Sequence, residues 1–267
     1  GDISLRGLGT LAAADAVIAE DTRVTRTLLA HYGITTPLVT YHEHNAEVMR
    51  PHLLARLAAG GKLALVSDAG TPLVSDPGFK LVAEAVAAGI KVTSVPGASA
   101  VLAALVVAGL PTDRFYFEGF LPQKSAARRS RIGEIAAVPG TLVFFESPRR
   151  LAEMLEDLAV VLGDREAAIA RELTKLYENV RRGSLKDLSA QYASEEPPRG
   201  EIVVLVAPST GATAISAEDI DARLRIAMQQ HSVKDAASLV AAETGQKRRD
   251  VYARAIHLSA AIGRNEE

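Results

Sequence analysis

A chain of 267 residues in which 48% of the side chains are apolar can bury a sizeable core, and its length suits one or two domains. Its formal charge of −2 excludes a globally basic nucleic-acid binder, so any such signal has to be local. The lack of cysteine removes disulfides and cysteine-ligated metals. No run reaches the ~18 apolar residues that cross a bilayer; the best is Ala98 to Leu110. With no secretory-signal pattern either, the expected setting is the cytoplasm, with no membrane partner.

In chain order, the first residues carry helical apolar spacing at Ile3, Leu5, Leu8 and Leu11. Because Gly1 is not a methionine, a segment upstream of it is expected. A strand AVIAE (Ala16 to Glu20) leads to a helix near Thr25 to His31. A strand PLVTY (Pro37 to Tyr41) follows, then a helix from about Glu47 to Ala59 and a strand LALVS from Leu63. A helix over Phe79 to Ala88, a strand KVTSV from Lys91 and a small apolar helix from Ser99 to Ala108 complete a βαβ series, the pattern of a doubly wound parallel sheet. GLPTDR (Gly109 to Arg114) breaks the alternation and marks a boundary. A second series runs through FYFEGF (Phe115 to Phe120), a basic helix and TLVFFE (Thr141 to Glu146). It continues in a helix from Arg149 to Leu162 and AAIARE (Ala167 to Glu172), and ends in EIVVLV (Glu201 to Val206). After the linker PSTGATA come helical segments at Ala217 to Gln229, Val233 to Glu243 and Arg248 to Ala261. The expected architecture is two tandem α/β domains, 1–111 and 112–208, plus a small helical appendage at 215–263.

Two Gly/Pro turns close apolar runs: SDAGTPLVSDPG after Leu63 to Val66, and VPGASA after Lys91 to Ser94. Turns at the carboxyl ends of parallel strands line the crevice where open α/β sheets bind ligands. Gly70 permits a left-handed backbone and close approach, Pro72 stiffens the turn, and Asp68 and Thr71 supply oxygens suited to a ribose or a methionine carboxylate. An ordinary strand-to-helix connection with Asp68 as cap explains one such loop equally well; two of them, one strand–helix unit apart, favour a ligand. Gly97 allows the same approach, and Ser99 is placed to cap a helix whose first N–H groups can hold a carboxylate. Asp68-Ala-Gly-Thr71 also resembles the nucleophile turn of haloacid-dehalogenase-type phosphatases, but Gly70 stands where that chemistry needs a second aspartate.

SDAGTPLVSDPG and VPGASA occur in order with AEDTR (Ala19 to Arg23), YHEHN (Tyr41 to Asn45), FFESPRR (Phe144 to Arg150) and RELTK with Glu178. Together they make nearly the whole chain resemble the tetrapyrrole-methylase superfamily of S-adenosylmethionine-dependent methyltransferases. The nearest branch of that superfamily methylates the ribose 2′-oxygen of a cytidine in the decoding region of small-subunit ribosomal RNA. The resemblance implies a strand and a Pro/Gly turn before Gly1, with Gly1 and Asp2 as the end of that motif. It implies S-adenosylmethionine as cofactor, a homodimer, and a donor site between the domains. That site is built from Asp68, Ala69, Gly70, Thr71, Pro72, Pro96, Gly97, Ser99, Ala100, Phe145 and Glu146, with Gly200 and Glu201. Only one of Phe144 and Phe145 is expected to touch the cofactor, since both sit in a core strand.

Charge placement bears on the substrate. Cations recur at Arg23 and Arg26, at Lys124, Arg128, Arg129 and Arg131, at Arg149 and Arg150, and at Lys247, Arg248 and Arg249. Each run alone reads best as a solvated face; several flanking one cleft suit phosphate contacts, which a small pigment substrate does not need. The expected partner is small-subunit ribosomal RNA or the assembled small subunit, met by Arg23, Arg26, Arg128, Arg129, Arg149, Lys247 and Arg248. Val233 to Ala261, with a turn at Gly245, has the outline of a helix-turn-helix or of a plain helical hairpin. His42 and His44 flank Glu43 at a strand end; methyl transfer from a sulfonium needs no metal, and they are read as substrate contacts. For a weakly nucleophilic ribose hydroxyl, Lys175 is the first candidate to activate or orient it, a phosphate contact being nearly as good a reading; Asp21 and Glu146 come second. The competing functions are a small-molecule tetrapyrrole methylase, an aspartyl phosphatase and an RNA-binding module without catalysis.

Overall fold

The computed structural model describes residues 1–68, 70–74, 78–209, 217–244, 246 and 248–262. The chain forms two compact units, Gly1–Ala207 and Pro208–Glu267.

The first unit opens on a thin parallel sheet. β1 (Ala16–Ala19) lies between β2 (Leu38–Thr40) and β3 (Leu63–Leu65) and is wholly buried. Strand alternation sends neighbouring side chains of β1 to opposite faces. Val17 packs with Leu11 of α1 (Leu5–Ala13) and Leu29 of α2 (Thr22–His31). Ile18 packs with Leu53 of α3 (Ala46–Ala58) and Leu81 of α4 (Phe79–Ala87). Helices therefore cover both faces, as the alternating pattern requires.

The expected strand at Lys91 to Val95 does not form. Its β-branched residues favour extended chain, but a strand exists only beside a partner; among the described residues β3 pairs with β1 alone, and Val92 stays 48% exposed. The following helix α5 (Ala100–Ala108) packs elsewhere: Val101, Ala104, Leu105 and Ala108 sit on Val143, Ala168, Val203 and Leu205 of the second sheet. Gly109 ends α5 in a left-handed conformation (φ +75°), and Arg182 caps its carbonyls, donating to Ala108 O at 3.1 Å and to Val107 O.

The second sheet runs β4 (Phe115–Phe120), β5 (Thr141–Glu146), β8 (Ile202–Val206), β6 (Glu166–Arg171), β7 (Asn179–Ser184). β4 and β5 are parallel and every other pairing is antiparallel. One face carries α5. The other is covered by α6 (Ser125–Ile135), α7 (Leu151–Leu162) and α8 (Leu185–Ser194), around Phe144, Ile169 and Val204. A 3-10 turn, Pro148–Arg150, leads into α7. β7 and α8 were not anticipated.

Arg128 of α6 corrects an expectation. It is 1% exposed, and its guanidinium donates to Asp157 of α7 at 2.6 Å and to Gln123 O at 3.0 Å. A cation so held ties two helices together and is not presented to a phosphate.

The second unit consists, among its described residues, of α9 (Ala217–Met228), α10 (Val233–Thr244) and α11 (Arg248–Ile262) around Leu224, Ala237, Val240, Val251 and Ala255. Arg254 of α11 pairs with Asp221 of α9. No helix among the described residues is long and apolar enough to cross a membrane.

Candidate active site

Side chains tie the loop after β1 to the loop after β3, and that loop to the turn before α5. The Asp21 backbone N–H donates to Asp68 Oδ2 at 3.2 Å, and Thr71 Oγ1 donates to Ala98 O at 3.2 Å, which holds the two Gly/Pro turns together. Gly70 (φ +76°) and Leu73 (φ +74°) both adopt the left-handed region; glycine does so freely, leucine only under strain, and such strain concentrates at functional loops. At Gly70 and Gly97 an added Cβ would enter open space.

These turns form one wall of a cavity of about 190 Å³ that is open to solvent and lined mostly by apolar surface, as ligand sites are. Gly70, Thr71 and Val74 stand on one side, with Ser99, Ala100 and Val101 at the start of α5; Phe145, Glu146, Ile202 and Val203 of the second sheet face them, with Glu201 and Phe120. Ser99 caps α5, its Oγ accepting from Leu102 N at 3.4 Å. The helix N-terminus thereby offers partial positive charge to an anionic group.

β5 divides its two phenylalanines by parity. Phe144 is fully buried in the core under α7, whereas Phe145 lies on the α5 side, lines the cavity and meets Phe117 and Phe120 edge to face at 4.9 and 5.7 Å. Glu146, the last residue of β5, is 3% exposed. Its Oε1 accepts from Ser147 N at 2.7 Å and from Ser147 Oγ at 3.2 Å. Arg150 Nη2 stands 3.2 Å from Oε2 but donates to the carbonyls of Leu121 and Pro122, so Oε2 accepts no hydrogen bond. The Glu146 side chain is wholly buried and, by the same alternation, lies on the Phe144 side of β5 beside Arg150, so its carboxylate does not open onto the cavity that the residue borders.

Lys175 stands behind Glu201 and does not itself line the cavity. Its Nζ donates to Glu172 Oε1 at 3.0 Å and to Glu201 Oε2 at 2.9 Å. Burial tends to lower its pKa, but the hydrogen bonds it donates to Glu201 and Glu172 outweigh that and raise it above the ordinary lysine value. Lys175 is therefore a fixed cation and poorly suited to abstract a proton. The turn that carries it includes Glu172 (φ +51°) and Thr174 (φ +62°), and Gly200 (φ +97°) passes so close to Glu172 that a Cβ would overlap its side chain. Asp21 caps α2, accepting from Arg23 N at 2.8 Å. The hydrogen bonds from the Arg23 side chain and backbone bring its pKa down to about 2, a weak base at neutral pH.

Other expected residues fall outside this cavity. Asp68 and Pro72 shape the first turn from behind, and Pro96 and Gly97 lie exposed ahead of Ser99. Arg23 is exposed beside Asp21. Arg26 lines a different, open groove with Leu29, Gly33 and Thr36. His42 and His44 form a T-shaped pair at 5.8 Å, with His42 Nδ1 buried and unpartnered; among the described residues no cluster is fit to hold a metal. Arg129 pairs with Asp157, Arg149 is exposed on the 3-10 turn, and Arg248 is exposed at the start of α11. Ala69, Gly245 and Lys247 lie outside the described residues. Sequence reasoning missed Val74, Val101, Phe120, Ile202 and Val203. The β8 pair was open to discovery, since it directly follows Gly200 and Glu201.

The family described as Tetrapyrrole (Corrin/Porphyrin) Methylases matches residues 1–189, and the one described as RsmI C-terminal HTH domain matches residues 214–259. The chain is 50% identical to the ribosomal RNA small subunit methyltransferase I of Mesorhizobium japonicum, over 99% of this chain and 90% of that one. It belongs to the ribosomal RNA small subunit methyltransferase I family. Members of this family share the tetrapyrrole-methylase fold. A diphthine synthase superposes with a TM-score of 0.59 at 20% identity, over 77% of this chain and 84% of that one. A Thermus thermophilus uroporphyrin-III C-methyltransferase complexed with S-adenyl homocysteine does so at 0.51 and 21%, over 76% and 90%. The chain is thus a methyltransferase, and the aspartyl-phosphatase reading of Asp68 lapses.

Proposed function

We propose that this enzyme transfers a methyl group from S-adenosylmethionine to the ribose 2′-oxygen of a cytidine in small-subunit ribosomal RNA. The observation that carries the donor half is the cavity itself: a left-handed glycine turn, a serine-capped helix N-terminus for a carboxylate, apolar walls and the exposed Glu201 carboxylate at its edge. The relatives' names support the RNA half, and the exposed cations Arg23, Arg149 and Arg248 suit phosphate contacts. Expected regions 1–111 and 112–208 are read as the two halves that frame the donor, and 215–263 as an RNA-contacting appendage.

When bound, the donor supplies a methyl group already activated on sulfur. The ribose oxygen forms a bond to that carbon as the carbon–sulfur pair returns to sulfur, and the hydroxyl proton must leave. Glu201, exposed at the cavity edge and held there by Lys175, is the carboxylate placed to take that proton, and Lys175 acts on the reaction by fixing it. Positioning supplies the larger share, up to ~7–11 kcal/mol of the barrier. A homodimer is the expected assembly. Leu102 and Val106, one turn apart on α5 and exposed, offer apolar surface for a second copy, which sedimentation would reveal.

The test is transfer of labelled methyl to assembled small subunits and to naked ribosomal RNA, followed by mapping of the modified nucleotide. Label at a base carbon or nitrogen, or none in RNA, would overturn the reading. In single turnover, Glu201→Gln is expected to be slower by about 10²-fold if Glu201 takes the proton.

A further inference from the structure

We propose that Phe120 is the platform on which the base of the acceptor nucleotide stacks. The proposal rests on the RNA reading above and concerns a residue to which that reading gives no task.

Regular alternation along β4 would place Phe115 and Phe117 on one face of the sheet and Phe120 on the other, with Tyr116, toward the α6–α7 core. The ladder does not stay regular. Phe117 pairs with Val143, but it is Gly119, not Glu118, that pairs with Phe144, so Glu118 is the extra residue of a bulge; Gly119 accommodates it with φ +77°. Phe120 then falls opposite Phe145 and is turned to the cavity side, where the two rings meet edge to face at 5.7 Å. Glu118, displaced by the same bulge, is held by Arg131 at 2.6 and 2.9 Å. The next carbonyls, Leu121 and Pro122, are held by Arg150 at 2.9 and 3.2 Å. The backbone around Phe120 is thus fixed on both sides.

The bulge exposes an aromatic ring where burial was available. Phe120 is 56% exposed at the cavity lip, while Phe145 and Val203 form the deeper wall. A rigid ring with one free face at the mouth of a methyl-transfer cavity suits a base drawn out of an RNA strand, because enzymes acting on a nucleotide extrude it and single-stranded bases stack on aromatic side chains. The ribose of a nucleotide so held would reach inward, into the cavity.

The chain contains no tryptophan, so Phe120→Trp creates a single emitter at this lip. Its fluorescence is expected to change little when S-adenosylhomocysteine alone is added, and to fall when small-subunit ribosomal RNA is then added to the S-adenosylhomocysteine complex. In steady state at saturating S-adenosylmethionine, Phe120→Ala and Phe120→Leu are expected to lose about 10- to 100-fold in kcat/KM for RNA and Phe120→Tyr to retain it, with any loss of S-adenosylhomocysteine affinity the smaller effect. Quenching by S-adenosylhomocysteine alone, or a leucine variant as active as wild type, would overturn the proposal. Should the wild type methylate RNA while the variants behave alike, only the role of Phe120 fails; should it methylate no RNA, the functional reading fails first.

Discussion

The two sheets of the first unit are built to different standards. In the three-stranded sheet only β1 is wholly buried; β2 and β3 are half-exposed along their length, and the two clusters flanking the sheet each hold a handful of residues. In the five-stranded sheet β8 is buried throughout, β5 and β6 nearly so, and a large continuous cluster lies beneath α6, α7 and α8. The left-handed turn that borders the cavity, with Gly70 and Leu73, sits on the thin side. Phe145, Glu146 and Val203 sit on the thick one. A rigid wall facing a loop-built wall suits a site that must admit a ligand and then hold it in register.

The thick side should break first when an ion is stranded in it. Asp157 would be pushed up by burial, but hydrogen bonds from Arg129, Arg128 and Ser125 override that and hold its carboxyl below the ordinary value. Asp157→Ala leaves Arg128 charged and dry, and the expected loss is about 3–5 kcal/mol in urea unfolding. Pairing Arg128→Met with Asp157→Leu should recover most of it. A single variant of near-wild-type stability would show that α6 and α7 do not depend on this pair.

The parity of β5 provides the next contrast. Phe144→Ala removes a ring from the closed core and is expected to cost about 3–5 kcal/mol while leaving donor affinity intact at temperatures where the protein remains folded. Phe145→Ala, one residue on but half-exposed, should cost under about 2 kcal/mol and weaken donor binding. Calorimetry with S-adenosylhomocysteine beside urea titrations separates the two; identical profiles would mean that the faces of β5 are not divided as described.

Much of this division was readable from residues alone. Continuous apolar runs such as TLVFFE and EIVVLV mark strands buried on both faces, and Gly/Pro turns after them mark the cavity rim. β7 was unreadable: NVRRGS has no apolar pattern and becomes a strand because β6 pairs with it, an edge position where partner and not propensity decides. α8 did carry a signal, with Ser184 as cap and Leu185, Leu188 and Tyr192 at helical spacing. KVTSV failed in the opposite sense, having propensity without a partner. Phe120 could not be placed because a single extra residue at Glu118 reverses parity, and no periodicity reveals which face follows a bulge. Arg128 and Arg129 illustrate the same limit for charge: adjacent cations in one basic run, one buried against Asp157 and one 43% exposed.

Between the sheets, Gly200 is the point where one residue type is required. Its φ of +97° already disfavours any side chain, and a Cβ there would overlap Glu172, whose Oε1 accepts from Glu201 N at 2.9 Å and Lys175 Nζ at 3.0 Å. Gly200→Ala is expected to cost about 1–3 kcal/mol and to slow methyl transfer, because Glu172 must move and Lys175 with it. If transfer is unchanged in a variant that is measurably destabilised, the Lys175–Glu172–Glu201 cluster is structural only.

The smallest effect is expected on the thin side, at Asp21, and it is a matter of pH. The folded-state pKa of Asp21 is depressed from 3.8 to about 2 by its hydrogen bonds with Arg23. A depressed carboxylate contributes stability that is fully present above its unfolded value and is lost as the pH falls through its folded value. The window is therefore about pH 4 down to pH 2. Asp21→Asn keeps an oxygen that can accept from Arg23 N and so keeps the α2 cap, removing only the charge. The stability difference between wild type and this variant should be constant from pH 7 to about 4 and shrink toward zero by pH 2, while methyl transfer near neutrality stays close to wild type. A difference that persists at pH 2 would mean that the asparagine damages the cap itself; a large loss of transfer at neutral pH would return Asp21 to the chemistry from which its low pKa removes it.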